Sequence, residues 1–238
     1  RSCSGIDQIC NYLVSVHCAA LLDERGEMPD VVMGHSAGEL SALAVGGAFS
    51  LPDGLDVVCK RIAALEPLRN TGGMLVLSAH PRRAESLVGS LGHSHLHISV
   101  INHENQVAVS GPTTDLIRLR DLALHLRIGQ VLLPSEYPFH SKLLKPAVEH
   151  FARLLGDTQL GSPSVPVYSP LERDFYGEAK IADILPFHFV RPLDYWDGIT
   201  ELYKLGIRTF VDCSTGATLK GIAERVLSGK KDAVVKAG

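Results

Sequence analysis

The chain has 238 residues, enough for one large domain or two small ones, and its 45% hydrophobic and 21% charged residues are those of an ordinary soluble globular protein. A formal charge of −3 with scattered basic residues gives no reason to expect nucleic acid or an anionic membrane as partner, and no apolar run approaches the roughly 20 residues that span a bilayer. The five cysteines, Cys3, Cys10, Cys18, Cys59 and Cys213, are odd in number and form no Cys-x-x-Cys; with no signal-peptide pattern at residues 1–5, they read as reduced thiols in a cytoplasmic protein.

In chain order, apolar spacing through Leu13, Val14, His17, Ala20 and Leu21 predicts a helix over about 7–22, ended by Gly26 and Pro29. Val31-Val32-Met33 predicts a strand and Glu39 to Ala44 a helix. After the turn Leu51-Pro52-Asp53-Gly54, a helix runs through Val57, Val58, Ile62 and Leu65, with Asp53 or its neighbour as cap. Strands follow at 74–77, 98–101, 106–110 and 130–133, with helices from Arg82 to Leu91 and from Pro112 through Leu126; Asn102 to Asn105 reads as a turn. That order, β-α-β-β-α-β, is a ferredoxin-like unit of roughly 60 residues, a size that suits a small subdomain inside a larger one. An α/β pattern then resumes, with helices at 145–155, 196–205 and 219–227 and strands at 165–168 and 209–212.

The chemistry centres on Gly34-His35-Ser36-Ala37-Gly38, a Gly-x-Ser-x-Gly turn between a strand and a helix. In a nucleophile elbow the glycines tolerate the tight backbone and the serine hydroxyl is lifted into the open. The amide of Ala37 at the helix N-terminus can then face an oxyanion. The plain alternative is a strand-to-helix turn without chemistry. A serine nucleophile needs a base. His35 adjoins the serine, but in an elbow its side chain points elsewhere. His140, in Tyr137-Pro138-Phe139-His140, stands where the chain leaves the inserted unit, a place where pockets form; otherwise it is a surface histidine. Arg61, on the helix after the elbow helix, either returns to the pocket to bind a carboxylate bidentately or is a solvated helix arginine. His93, His95 and His97 alternate as metal ligands can, but no acidic or cysteine ligand adjoins them, so a loop is the stronger reading and no metal is expected.

Together these residues resemble, over essentially the whole chain, the malonyl-CoA:acyl-carrier-protein transacylases and the acyltransferase domains of polyketide and fatty acid synthases. That family carries Gly-His-Ser-x-Gly-Glu, matched by Gly34 to Glu39. It has an arginine at the position of Arg61 and a ferredoxin-like insertion where this chain has about 72–133. It has a histidine at the end of the insertion, followed by a helix start like Leu144-Lys145-Pro146-Ala147. The resemblance implies an α/β fold in which a hydrolase-like core with a central, mainly parallel sheet takes residues 1–71 and 134–238, and the small subdomain takes 72–133.

It also implies roles. Ser36 becomes an acyl-serine, and His140 is the base for both half-reactions. A main-chain carbonyl, assigned by register to His188, orients that histidine. Arg61 pairs with the free carboxylate of a malonyl group; Gln8, His35, Tyr137 and Phe139 complete the substrate site. Phe139 leaves no room for an α-methyl branch, which favours malonyl, while Tyr137 is a mixed signal. No bound cofactor is implied. A CoA thioester such as malonyl-CoA is the donor, and the phosphopantetheine thiol of an acyl carrier protein is the acceptor. Neighbouring synthase domains are further partners if the chain is one domain of a synthase.

One departure concerns the start. The family opens with a strand and a Gly-Gln-Gly-Ser-like loop beside the oxyanion hole. This chain has no such segment, so roughly 50 to 60 further residues are expected ahead of residue 1 in a complete member. The rivals are an acyl hydrolase of the same fold that clears carrier proteins, an α/β-hydrolase esterase, and a non-catalytic docking module. Arg61 speaks against the first two, since a neutral acyl chain has no use for a buried guanidinium, and no histidine follows His188 to serve an esterase.

Overall fold

Helix α1 spans Ser4–Glu24 in a computed structural model that describes residues 4–92, 95–156, 158–177 and 181–238. The face it buries is that of Tyr12 and Val16, with Ile9 alongside; Leu13, Val14 and Leu21 are exposed. Tyr12 anchors that face, because its ring is buried while its hydroxyl donates to the Leu51 carbonyl at 2.9 Å. Strand β1 (Val32–Met33), α2 (Gly38–Val45) and α3 (Leu51–Leu65) follow. The cap of α3 is Ser50, whose hydroxyl accepts from the Asp53 amide at 3.2 Å, so Asp53 is the capped residue and not the cap. Leu40, Leu43, Val57, Val58 and Leu65 of these helices share one core with Phe151 of α6 (Lys145–Leu155).

From Gly73 the chain builds β2 (Gly73–Leu77), α4 (Pro81–Ser90), β3 (His97–His103), β4 (Gln106–Gly111), α5 (Thr113–His125) and β5 (Gln130–Leu132). The sheet order is β5-β2-β4-β3, all antiparallel, and β8 (Leu193–Asp194) joins parallel to β3. Both helices lie on one face, burying Ala84, Leu87, Leu116 and Leu119 against Leu75, Leu77, Val107 and Val109. Strand β3 extends through His103, so the turn closes on Glu104 and Asn105 alone. His93 of the histidine alternation lies outside the described residues.

Strand β6 runs Val167–Ser169, later than the sequence pattern suggested, because Pro166 has no N–H and only its carbonyl joins β1. It pairs parallel with β1 and antiparallel with β7 (Asp174–Phe175). Then come α7 (Ile181–Ile184), a 3-10 turn at Leu185–Phe189, α8 (Tyr195–Lys204), β9 (Thr209–Asp212), α9 (Thr218–Val226) and β10 (Val234–Ala237), which lies parallel to β9. The expected single parallel sheet is corrected on this point. Among the described residues the parallel pairs outside the β5-β2-β4-β3-β8 sheet form two separate pieces, β1–β6 and β9–β10. A cavity of about 660 Å³ is lined by residues of both pieces, β1 and β9, and by α1. No described helix is long and apolar enough to cross a membrane.

Candidate active site

The nucleophile turn is forced by packing at its first glycine. A Cβ on Gly34 would stand 2.2 Å from the Glu39 amide nitrogen and 2.3 Å from the Gly38 carbonyl carbon, so only glycine fits there. Ser36 has φ of 54°, a left-handed conformation that costs a non-glycine residue about 1–2 kcal/mol. Bonds from the Gly38 and Glu39 amides to the His35 and Ser36 carbonyls, each 3.0 Å, hold it there. Gly38 serves differently, since a Cβ on it would meet nothing within 4 Å. Its backbone does not require glycine, and the missing side chain leaves open space beside the serine. Ala37 caps the N-terminus of α2, where backbone amides and the helix dipole favour negative charge.

His140 is buried, with Nε2 2.8 Å from Ser36 Oγ and Nδ1 2.9 Å from the Arg191 carbonyl oxygen. A carbonyl can only accept, so Nδ1 carries the proton and Nε2 offers its lone pair to the serine hydroxyl. Burial is the main force on the imidazole and pulls its pKa down to about 3, aided by the positive charge of Arg61 and opposed by the Arg191 carbonyl. The ring therefore stays neutral and ready to take a proton. The orienting carbonyl assigned to His188 is corrected: it belongs to Arg191, three residues on. The 3-10 turn ends at Phe189, Val190 continues the turn and the Arg191 amide still bonds to the Phe187 carbonyl at 3.0 Å, so it is the Arg191 carbonyl that meets the imidazole. The His188 ring points away, to the Tyr176 hydroxyl at 2.9 Å.

Arg61, on α3, is 3% exposed, and among the described residues no carboxylate pairs with it. One guanidinium nitrogen donates to Gln8 Oε1, and the Phe139 and Phe189 rings lie 5.4 and 5.0 Å from its central carbon. Burial draws its pKa down to about 10, so it remains a cation inside the protein. Phe139 thus walls the guanidinium, and its carbonyl is held by the Ser110 hydroxyl at 2.5 Å, which ties the loop to β4. Tyr137 packs on Phe139 at 5.5 Å, and its hydroxyl oxygen accepts from the Arg69 guanidinium. His35 meets Asn102 Oδ1 at 3.0 Å and the Tyr195 ring edge-on, so it fastens the elbow to β3. Ser110, Asn102, Phe189 and Arg191 escaped sequence reasoning. Of these, Asn102 stands in the turn-forming tetrad and Ser110 at the end of the 106–110 strand, both readable as local structure but not as site residues.

The chain and its fold have relatives among known proteins. The chain is 28% identical over 212 residues to the polyketide biosynthesis protein ThaF of Burkholderia thailandensis, covering 89% of this chain and 18% of that protein. It is 26% identical over 226 residues to the polyketide biosynthesis acyltransferase homolog PksD of Bacillus subtilis, covering 92% of this chain and 66% of that one. The chain therefore spans a minor part of the first relative's length and about two thirds of the second's. Among solved structures, the acyltransferase domain from the second module of the salinomycin polyketide synthase superposes with a TM-score of 0.88 at 26% identity, over 98% of this chain and 55% of that one. The malonyl CoA-acyl carrier protein transacylase of Burkholderia pseudomallei does so with 0.89 at 26%, over 94% and 80%. Residues 3–237 match the family model described as the acyl transferase domain, so the chain belongs to that family.

Proposed function

We propose that this chain moves a malonyl group from CoA to the phosphopantetheine thiol of an acyl carrier protein through an acyl-serine. The observation that carries this reading is Arg61, a buried cation beside the Ser36–His140 pair that no carboxylate among the described residues pairs with. Burying a guanidinium unpaired is costly, and a carboxylate arriving with the substrate removes that cost. Phe139, against the same guanidinium, narrows the space next to that carboxylate and favours malonyl over a branched relative. We read residues 1–71 and 134–238 as a hydrolase-like core and 72–133 as a ferredoxin-like subdomain. The 137–140 loop between them supplies the histidine and the phenylalanine.

In the first half-reaction Ser36 Oγ attacks the thioester carbonyl while His140 Nε2 takes its proton. The charge that develops on the carbonyl oxygen faces the Ala37 amide at the N-terminus of α2. The thioester C–S bond breaks, and CoA leaves as a thiol with the proton from His140. In the second half the carrier thiol gives its proton to His140 and attacks the malonyl ester; the Ser36–acyl bond breaks and the proton returns to Ser36. The Arg191 carbonyl steadies the imidazolium that forms in each half.

Incubation with malonyl-CoA, followed by intact-protein and peptide mass spectrometry, tests this. The expected result is a malonyl adduct on Ser36 that a carrier protein bearing phosphopantetheine then removes. Absence of an adduct, or its release to water at the same rate with and without the carrier, overturns the reading.

A further inference from the structure

One stretch of chain, residues 185–191, serves the site on three sides. The Phe189 ring lies against Arg61, the Arg191 carbonyl accepts from His140, and the His188 ring turns back into a buried cluster behind the nucleophile elbow. Glu39, the second residue of α2 and fully buried, is the centre of that cluster. Its Oε2 accepts from the Ser169 hydroxyl at 2.9 Å and meets the Tyr176 hydroxyl at 2.6 Å. The same Tyr176 oxygen lies 2.9 Å from His188 Nε2. The segment from 169 to 176 holds the far end of the stretch too, because Glu172 binds the Arg191 guanidinium and its amide donates to Ser169 Oγ at 3.1 Å.

The protonation pattern follows from the partners. Burial pushes the Glu39 carboxyl up to about 8 and holds His188 down to about 3, so near neutral pH both are uncharged. A neutral carboxyl can donate from Oε2 to Tyr176, which donates in turn to His188 Nε2. Oε1 makes no hydrogen bond of ordinary geometry, with the Leu171 amide facing the carboxyl, and as a carbonyl it is the least costly group to leave so. Burying a carboxyl with no cation beside it adds little stability, and a leucine would fill the volume more cheaply. What the carboxyl provides and a leucine cannot is a directional tie between the elbow helix and the 185–191 stretch.

We propose that Glu39 is a positioning residue for acyl transfer: through Tyr176 and His188 it fixes the 185–191 stretch against the elbow, and so keeps the Arg191 carbonyl where it aims His140 Nε2 at Ser36. The inference rests on Ser36 and His140 acting as nucleophile and base, but not on the identity of the acyl group.

Labelling with an alkyl fluorophosphonate tests it on the full chain. The Ser36 Oγ–P bond forms, the P–F bond breaks, and His140 takes the serine proton and passes it to the departing fluoride. The probe carries neither carboxylate nor CoA, so a failure of the malonyl reading leaves this test intact. Tyr176→Phe and Glu39→Leu should label about tenfold more slowly than wild type, whereas Glu39→Gln, whose amide can still donate to Tyr176, should stay within about threefold. In histidine-labelled protein, the downfield Nδ1–H signal of His140 should move upfield in Tyr176→Phe and stay in place in Glu39→Gln. Labelling of Tyr176→Phe within about threefold of wild type, with the His140 signal unmoved, overturns the proposal. Should Glu39→Leu not fold, Tyr176→Phe decides alone, since it removes one hydroxyl and no volume.

Discussion

Replacing Arg61 with leucine separates function from stability at one position. Hydrogen bonds to a charged group contribute about 1.5–3 kcal/mol each, and a guanidinium grips a carboxylate with two. Losing both costs about 3 kcal/mol or more, about a hundredfold in kcat/KM for malonyl-CoA. For acetyl-CoA, which offers no carboxylate, the same change removes no contact to the acyl group, so kcat/KM holds or rises. In the free protein the opposing effects nearly cancel. Burial alone takes the Arg61 pKa from 12.5 to about 10, which corresponds to a cost of about 3 kcal/mol for the charged form. The Phe139 and Phe189 rings offset about 2 kcal/mol of that through cation–π contact. The charged hydrogen bond to Gln8 offsets the rest, at about 1.5 kcal/mol, and leucine has none of these effects, so the Tm of the free protein should stay within about 3 °C of wild type. The assay is a timed competition between malonyl-CoA and acetyl-CoA, read as adduct masses on Ser36, with thermal melts of the unliganded proteins. An unchanged malonyl-to-acetyl ratio would refute the carboxylate role, and a Tm lowered by several degrees would refute the account of the buried charge.

Two further outcomes are expected. His140 is held neutral by burial, with a pKa of about 3, and it must be neutral to act as base, so activity is lost only as pH falls through that low value. The rate of Ser36 acylation should therefore be flat from about pH 5 to about pH 8, and a limb centred near the ordinary histidine value of about 6.5 would show that the imidazole is not buried in this way. The two elbow glycines should part company: Gly34→Ala, whose Cβ would sit 2.2 Å from the Glu39 nitrogen, should lose the folded elbow and all fluorophosphonate labelling, whereas Gly38→Ala should keep its Tm and label more slowly. Equal melts for the two variants would contradict the packing argument.

The part of the site legible in the sequence was the part whose cause is local. The elbow was readable because an apolar run, a glycine that admits no Cβ and a run of helix formers follow one another within a dozen residues. The β-α-β-β-α-β order was readable because each element carries its own apolar period. What escaped was decided by distant partners. Helix α1 carries apolar residues on more than one face, and Tyr12 settled which is buried by reaching the Leu51 carbonyl, a contact no periodicity encodes. Strands β7, β8 and β10 are two to four residues long and exist only because β6, β3 and β9 lie beside them.

The acceptor for His140 is a backbone oxygen, and every residue has one. Resemblance could place it near residue 188, but only the end of the 3-10 turn selects residue 191. Glu39 shows the same limit from the other side. Its place in Gly34-His35-Ser36-Ala37-Gly38-Glu39 marked it, yet nothing nearby says what it holds, because its partners Ser169 and Tyr176 lie 130 and 137 residues on. The motif therefore specifies where the nucleophile stands, while the aim of its base is set by hydrogen bonds converging from the far third of the chain. A substitution at Tyr176, in a stretch with no sequence signal of its own, should disturb Ser36 chemistry more than most changes on the exposed faces of α1 or α5.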